Sequence, residues 1–457
     1  MSLKNTFRRA VAAVSLLLLP AGLAAQTSSI NAFSPYTMYG IGEINTPGTL
    51  PMRSMGGAGV AMRNPGMMNV LNPAAYSAVP QKSFLLSFGL EGQNYYNSQS
   101  VDGAKKKSAY NTFNFHDLAV LLPLTRRLGL GVSLMPYSSV GYRTEFFREF
   151  DSADPVWGNV GPVQYTYQGE GDVTEVKLGM GWEVAKHFSI GLAAQYYWGK
   201  IDRTYVAAFS SITGSGSYNS IVGQSAYTVS RFKGQVGLQW DAIMNARRVL
   251  SFGATFDIGG DLRPKRTERV YTTDPANTAA VDLHDDLELV LPRQLVAGFY
   301  YQTPKWTVGA DYVYQNWAGS NSSTLSSGIA AGGGRFDVAY ADTHTVKAGV
   351  EFIPNRYDVR RFLRRCAYRA GVRYGDYYQT FGGQRLQQYA VTLGVGIPVR
   401  FLGSSSIDVG LEYGDRGFNV AERIGLVRQR YFKIAVGFAL FAGSENGEYW
   451  FVRPKYD

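Results

Sequence analysis

Four histidines, one cysteine and a short glycine run are the residues in this 457-residue chain that could announce catalysis or metal binding. His116, His187, His284 and His344 are far apart, with no His-x-x-x-His or Cys-x-x-Cys spacing to hold an ion. His187 reads as a turn residue and His284 as a loop residue, with His116 and His344 near strand starts. Cys366 stands alone, so no intramolecular disulfide is possible. Gly56-Gly57-Ala58-Gly59 looks like a phosphate loop, but no Lys-Ser/Thr pair follows it. Catalytic, cofactor and metal residues are therefore expected to be absent, and the chain does not read as an enzyme. What remains is electrostatic. Glu175, Lys177, Glu183, Asp311, Lys347, Glu351, Arg369, Arg373, Asp408 and Glu412 carry both signs and alternate with apolar neighbours. Such a set can pair across an enclosed space or line a water path, since buried charge must be paired or solvated. Pairing around a plug is the reading adopted here, because the chain carries a segment to be held.

The alternation that frames those charges is the period-two pattern of strands. Val176, Leu178, Met180, Trp182 and Val184 oppose Glu175, Lys177, Gly179, Gly181 and Glu183. Val346, Ala348, Val350 and Phe352 oppose Lys347, Gly349 and Glu351 in the same way. The segments run about ten residues or more, a membrane-crossing length for a tilted strand, with Tyr and Trp near the ends of the apolar bands. A soluble sandwich would turn its polar face to water. Here that face is heavy in glycine and opposite charges, as suits a packed or watered lumen. The composition of 52 Gly, 31 Tyr, 25 Phe and 18% charged residues fits the same architecture. The fold expected is all-β: a transmembrane antiparallel β-barrel of about fourteen strands, centred near residues 88, 117, 132, 178, 193, 235, 253, 295, 310, 348, 370, 394, 409 and 436.

Connections alternate in length. They are short at 125–127, 185–187, 245–248, 303–305 and 402–404, and mostly long and polar at 143–171, 208–225, 259–286, 318–341 and 414–429. Bacterial barrels keep short turns in the periplasm, which predicts both termini there and a location in the outer membrane of a Gram-negative cell. One departure is the connection at 355–365, longer than its class and rich in Arg356, Arg360, Arg361, Arg364 and Arg365.

The chain divides into a signal peptide at 1–25, a hatch at 26–80, a barrel at 81–443 and a periplasmic tail at 444–457. Lys4, Arg8 and Arg9 precede the apolar run Ala10 to Leu19, and Gly22-Leu23-Ala24-Ala25 offers small residues for cleavage. The formal net charge of +10 falls to +7 without those three residues, and the rest of the basic residues are scattered, which argues against a nucleic-acid partner. Residues 51–80 hold only two charges, Arg53 and Arg63, and keep neither a strand nor a helix period for long. A segment this apolar must be buried, and a barrel lumen is the available place. Its glycines suit close backbone packing. Pro136 lies inside the third strand, where a residue without an N–H marks either a break in the wall or a bulge where the strand leaves the membrane.

Residues 55–79 resemble the N-terminal hatch of the long-chain fatty-acid outer-membrane transporter family, which includes the aromatic-hydrocarbon channels. The matching positions are Met55-Gly56-Gly57-Ala58, with Gly59 following, and the turn Asn72-Pro73-Ala74. The resemblance implies a fourteen-stranded barrel with a lumen hatch and a kinked third strand that opens the wall sideways. Arg63-Asn64-Pro65-Gly66 replaces the acidic step of the fatty-acid hatch. Ser34-Pro35-Tyr36, Tyr39-Gly40-Ile41-Gly42 and the ending Trp450 to Asp457 resemble a Bacteroidota branch of such barrels. The function expected is passive uptake of a hydrophobic small molecule, fatty-acid-like or aromatic, past the hatch, with outer-membrane lipid and the solute as partners and no cofactor. The alternative is a non-transporting barrel that serves as a partner subunit of a protein-secretion or surface-display machine.

Overall fold

The computed structural model describes residues 32–64, 67–81, 83–101, 104–149, 160–209, 218–245, 247–262, 264–272, 283–286, 290–318, 338–358, 360–399, 405–423 and 425–442. The expected signal peptide and C-terminal tail lie outside them. Fourteen strands form the wall: β1 (Phe84–Val101), β2 (Ala104–Pro123), β3 (Leu128–Arg148), β4 (Val163–Ala185), β5 (Phe188–Ala208), β6 (Ile221–Met244), β7 (Val249–Asp257), β8 (Arg293–Gln302), β9 (Trp306–Asn316), β10 (Thr343–Phe352), β11 (Ala367–Phe381), β12 (Gln384–Val399), β13 (Ser405–Arg416) and β14 (Arg428–Ala442). Each is antiparallel to the next, and β14 returns to β1 from Phe84↔Ala442 to Ser98↔Arg428. Every expected centre falls within one of them. Among the described residues no helix is long and apolar enough to cross a membrane.

The period-two pattern sorts side chains as expected. Leu178, Met180, Leu192, Phe232, Leu238, Val346, Val372, Ile434 and Phe438 are exposed on the outer surface, with Trp182, Trp240 and Trp306 towards the short-turn end. Closure hides the strand edges that lipid cannot satisfy. Strands β3 to β6 are 21, 23, 21 and 24 residues long, against roughly ten for a bilayer crossing. They therefore project beyond the apolar band on the long-loop side. One connection on that side is nevertheless tight: Gly382-Gly383, which turns with both φ angles positive.

The lumen is filled from the N-terminus. A 3-10 turn (Pro35–Met38), a short strand (Glu43–Ile44), one helical turn (Leu50–Arg53) and a second 3-10 helix (Pro73–Ala78) follow one another inside the wall. Their apolar residues make clusters that a soluble protein would call its core. Met52, Val60, Ala61 and Met62 pack on Tyr300, and Met68, Val70, Tyr76 and Val79 pack on Leu85 and Leu121.

Candidate functional site

Glycines on the inner wall make room for the hatch backbone. A Cβ at Gly371 would lie 2.1 Å from the Gly56 nitrogen, one at Gly349 2.3 Å from the Met55 oxygen, and one at Gly191 2.2 Å from the Ala74 nitrogen. Gly56 itself has φ +73°, and its own Cβ would meet the Val372 oxygen at 2.5 Å. The glycine-heavy polar face of the strands is thus a seat for another stretch of main chain.

Hydrogen bonds and ion pairs lock that seat. Asp311 accepts from the Gly59 and Val60 amides at 2.7 and 2.9 Å. Thr392 Oγ1 accepts from the Gly56 amide at 2.9 Å. Asn72 caps the Pro73–Ala78 helix by accepting from the Ala74 amide at 3.0 Å, and its amide group donates to the Val60 and Leu238 carbonyls at 2.9 and 3.0 Å. Both charges of residues 51–80 are buried and answered by the wall. Arg53 meets Glu91 at 2.7 Å; Arg63 lies 3.3 Å from Asp241 and 3.6 Å from Glu183. Glu91 and Asp241, two carboxylates that hold the hatch, were not among the sequence-derived charges. Their strands alternate like the others, but a period gives a face and never a partner.

Five of those ten charges form ion pairs within the wall, and two more bond to wall glutamines. Arg369 reaches Glu351 at 2.8 Å and also Asp408, and Arg373 reaches Glu412 at 2.7 Å. Glu175 accepts from Gln195 at 3.4 Å and Lys177 donates to Gln235 at 3.1 Å. Asp311 and Glu183 face the hatch, and Lys347 lies beside Gly57, where a Cβ would sit 3.8 Å from its Nζ. Ala58 is buried, with its amide donating to the Met55 carbonyl at 3.3 Å.

Pro136 marks an interruption in the wall. The β2–β3 ladder has six residue pairs, from Pro123↔Gly129 to Leu118↔Leu134, and stops at the latter although both strands continue. On its other side β3 shifts register against β4 between Pro136 and Ser138. Across from it, β2 shifts register against β1 at Gly89/Leu90, opposite His116 and Asp117. Two irregularities facing each other open a seam. The N-terminal segment covers it: Ser34 donates its amide to the Gly141 carbonyl at 2.8 Å, Glu43 and Ile44 pair with Ser139 and Ser138, and the Asn45 amide donates to the Tyr137 carbonyl at 2.9 Å. Phe33 stacks on Tyr110 of β2 with centroids 4.4 Å apart. Arg416 reaches Glu43 at 3.0 Å. The part of the expected hatch ahead of residue 51 thus lies along the seam.

Beside the seam lies a cavity of about 190 Å³. Met135, Pro136 and Tyr137 line it from the wall, Val60, Val70 and Leu71 from the hatch, and Lys177, Asp257, Asp311 and Arg373 add charge.

No group of three His, Cys, Asp or Glu able to bind an ion occurs among the described residues. His116 is buried within β2 rather than near its start, and touches Asp117, which also accepts from Ser87 at 2.6 Å. That order puts the carboxylate between hydroxyl and imidazole, whereas nucleophile activation needs the base on the hydroxyl. His284 belongs to a short strand, Leu283–Asp286, paired with Lys265–Glu268, and His344 meets the Tyr312 hydroxyl at 2.6 Å. His187 holds the turn between β4 and β5, with φ 70°.

The family model described as BamG matches residues 7–457. The chain belongs to the BamG family. The family is thus a different one by name from the fatty-acid transporters that the hatch motif resembles, while the fold is theirs. This BamG-family barrel is similar to the CymD monoaromatic hydrocarbon channel at 14% identity and a TM-score of 0.55, over 87% of this chain and 98% of that one. A Pseudomonas aeruginosa FadL homologue is similar at 13% identity and a TM-score of 0.57, over 88% and 98% of the two chains. The toluene transporter TbuX of Ralstonia pickettii is similar at 14% and 0.53, over 86% and 98%. At such identities the likeness is one of fold. No curated protein matches the chain.

Proposed function

We propose that this BamG-family barrel lies in the outer membrane, short turns in the periplasm, and passively admits a small hydrophobic or amphipathic solute to the lumen cavity. The β2–β3 seam then offers a sideways exit into lipid once the segment from Ser34 to Asn45 moves. The observation that carries this reading is the position of the cavity: Met135, Pro136 and Tyr137 line it on the strand whose ladder to β2 has just ended. An apolar cavity of roughly 150 Å³ holds benzene. At about 190 Å³, with charged groups in its lining, the closed lumen suits a monoaromatic or a short amphipath; a longer acyl chain requires hatch displacement.

A second reading has its own support. Arg53 and Arg63 are each buried against wall carboxylates, and the chain's family is BamG rather than that of the similar channels. A barrel fastened in this way can remain shut and serve as a partner subunit of a protein-secretion or surface-display machine, meeting other proteins through its projecting strands. A strain lacking the protein separates the two. Slowed uptake of labelled toluene or medium-chain fatty acid, with surface proteins unchanged, is the result expected of the channel. Normal uptake with loss of surface-exposed proteins would reject the channel and favour the subunit.

A further inference from the structure

The short-turn end of the barrel is strongly basic. Arg126, Arg127, Lys186, Arg247, Arg248 and Lys305 are exposed in its turns. The connection from β10 to β11 departs from these tight turns in both length and shape. It carries Arg356, Arg360, Arg361 and Arg364 at exposed positions, and a 3-10 turn, Phe362–Arg364, presents Phe362 and Leu363 to the outside, Leu363 at 70% exposure. Apolar side chains held exposed at a loop tip need a reason.

The loop has a defined shape. Asp358 accepts from the Arg360 and Arg361 amides at 3.0 and 2.9 Å and meets Arg364 at 3.4 Å. Arg365 stands over the Phe362 ring at 5.4 Å, and its Nε has no acceptor. A hydrogen bond fixes the loop's direction. Tyr368 faces outward on β11, as Val372 and Tyr374 do, and its hydroxyl donates to the Leu363 carbonyl at 2.9 Å. The 3-10 turn is therefore folded over the outer, lipid-facing side of the wall and not across the barrel mouth.

We propose that this loop is a membrane anchor: Phe362 and Leu363 enter the headgroup–acyl boundary of the adjoining leaflet, and Arg360, Arg361, Arg364 and Arg365 hold anionic phospholipid headgroups. Arginine is suited to the role because its guanidinium grips phosphate while its stem lies along apolar surface. Aromatic and basic residues are a common pairing at membrane interfaces. An acidic periplasmic protein would match the charge too, but it would not explain why the turn is pinned to a lipid-facing tyrosine. The inference rests on the proposed orientation, with short turns in the periplasm, and is independent of whether the barrel transports.

The test uses the full chain reconstituted in vesicles of phosphatidylcholine with or without phosphatidylglycerol. Leu363→Cys in a Cys366→Ala background, carrying an environment-sensitive fluorophore, is expected to shift to the blue and to be quenched by brominated acyl chains. R360Q/R361Q/R364Q/R365Q is expected to retain at least roughly tenfold less phosphatidylglycerol in native mass spectrometry, with the heat-modifiable gel mobility of a folded barrel unchanged. An unquenched, water-exposed label would overturn the proposal, as would undiminished lipid retention. Loss of a co-purifying acidic protein without loss of lipid would overturn it in favour of protein docking. Labelling of Leu363→Cys from outside intact cells would reject the orientation, and with it the anchor in that leaflet. Absent solute uptake with the anchor intact would count against the channel alone.

Discussion

Removing the Arg63 side chain is expected to loosen the hatch by an amount the surroundings define. Its guanidinium is buried, 3.3 Å from Asp241 and 3.6 Å from Glu183, and it also contacts the Ser189 hydroxyl. Deleting one partner of a buried ion pair costs about 3–5 kcal/mol, because the other charge is left behind. Asp241 would keep one donor, Ser251 Oγ at 2.6 Å, and Glu183 is partly exposed, so the lower end applies. About 3 kcal/mol corresponds to roughly a 150-fold rise in the population with the hatch displaced. Single-channel recording of Arg63→Ala in planar bilayers reads that population as open time, and trypsin reads it as cleavage within the hatch. R63M/D241N removes both charges and is expected to recover most of the loss. An Arg63→Ala barrel as silent and as protease-resistant as its parent would refute the idea that this pair secures the hatch.

Further perturbations test other contacts. Gly371→Val places a side chain 2.1 Å from the Gly56 nitrogen, and overpacking against main chain is expected to destabilise the seated hatch by about 3 kcal/mol, seen as hatch proteolysis with the barrel intact. Asn72→Ala loses the helix cap and the bonds to Val60 and Leu238; a loss of about 2 kcal/mol is expected in urea unfolding. The Arg361 and Arg360 amides hold the Asp358 carboxylate below its usual range. A lowered carboxylate contributes above its ordinary pKa and loses that contribution as pH falls, so amide exchange at Arg360 and Arg361 is expected to stay slow until below about pH 4.

The wall was legible because each strand alternates along its own sequence, and lipid outside with polar groups inside leaves a period-two signal in every one. Gly349 was legible as luminal, and the structure adds that it is a seat for Met55, as Gly371 is for Gly56. Pro136 could be seen as an irregularity because proline lacks a donor. The matching register shift by His116 could not, since an extra residue in a ladder leaves no mark in composition. Nor could Glu91 and Asp241 be matched to Arg53 and Arg63. The pairs join residues far apart in the chain, and only barrel closure and register bring them together. The seam cover from Ser34 to Asn45 was missed for a related reason: a two-residue strand such as Glu43–Ile44 is too short to show a period.

Closure of the lumen by residues 51–80 is tested most directly by conductance in planar bilayers of the full chain and of a chain lacking those residues, both confirmed as folded barrels by heat-modifiable gel mobility. A closed parent and a steadily conducting deletion variant are predicted. Equal conductance from the two would contradict it.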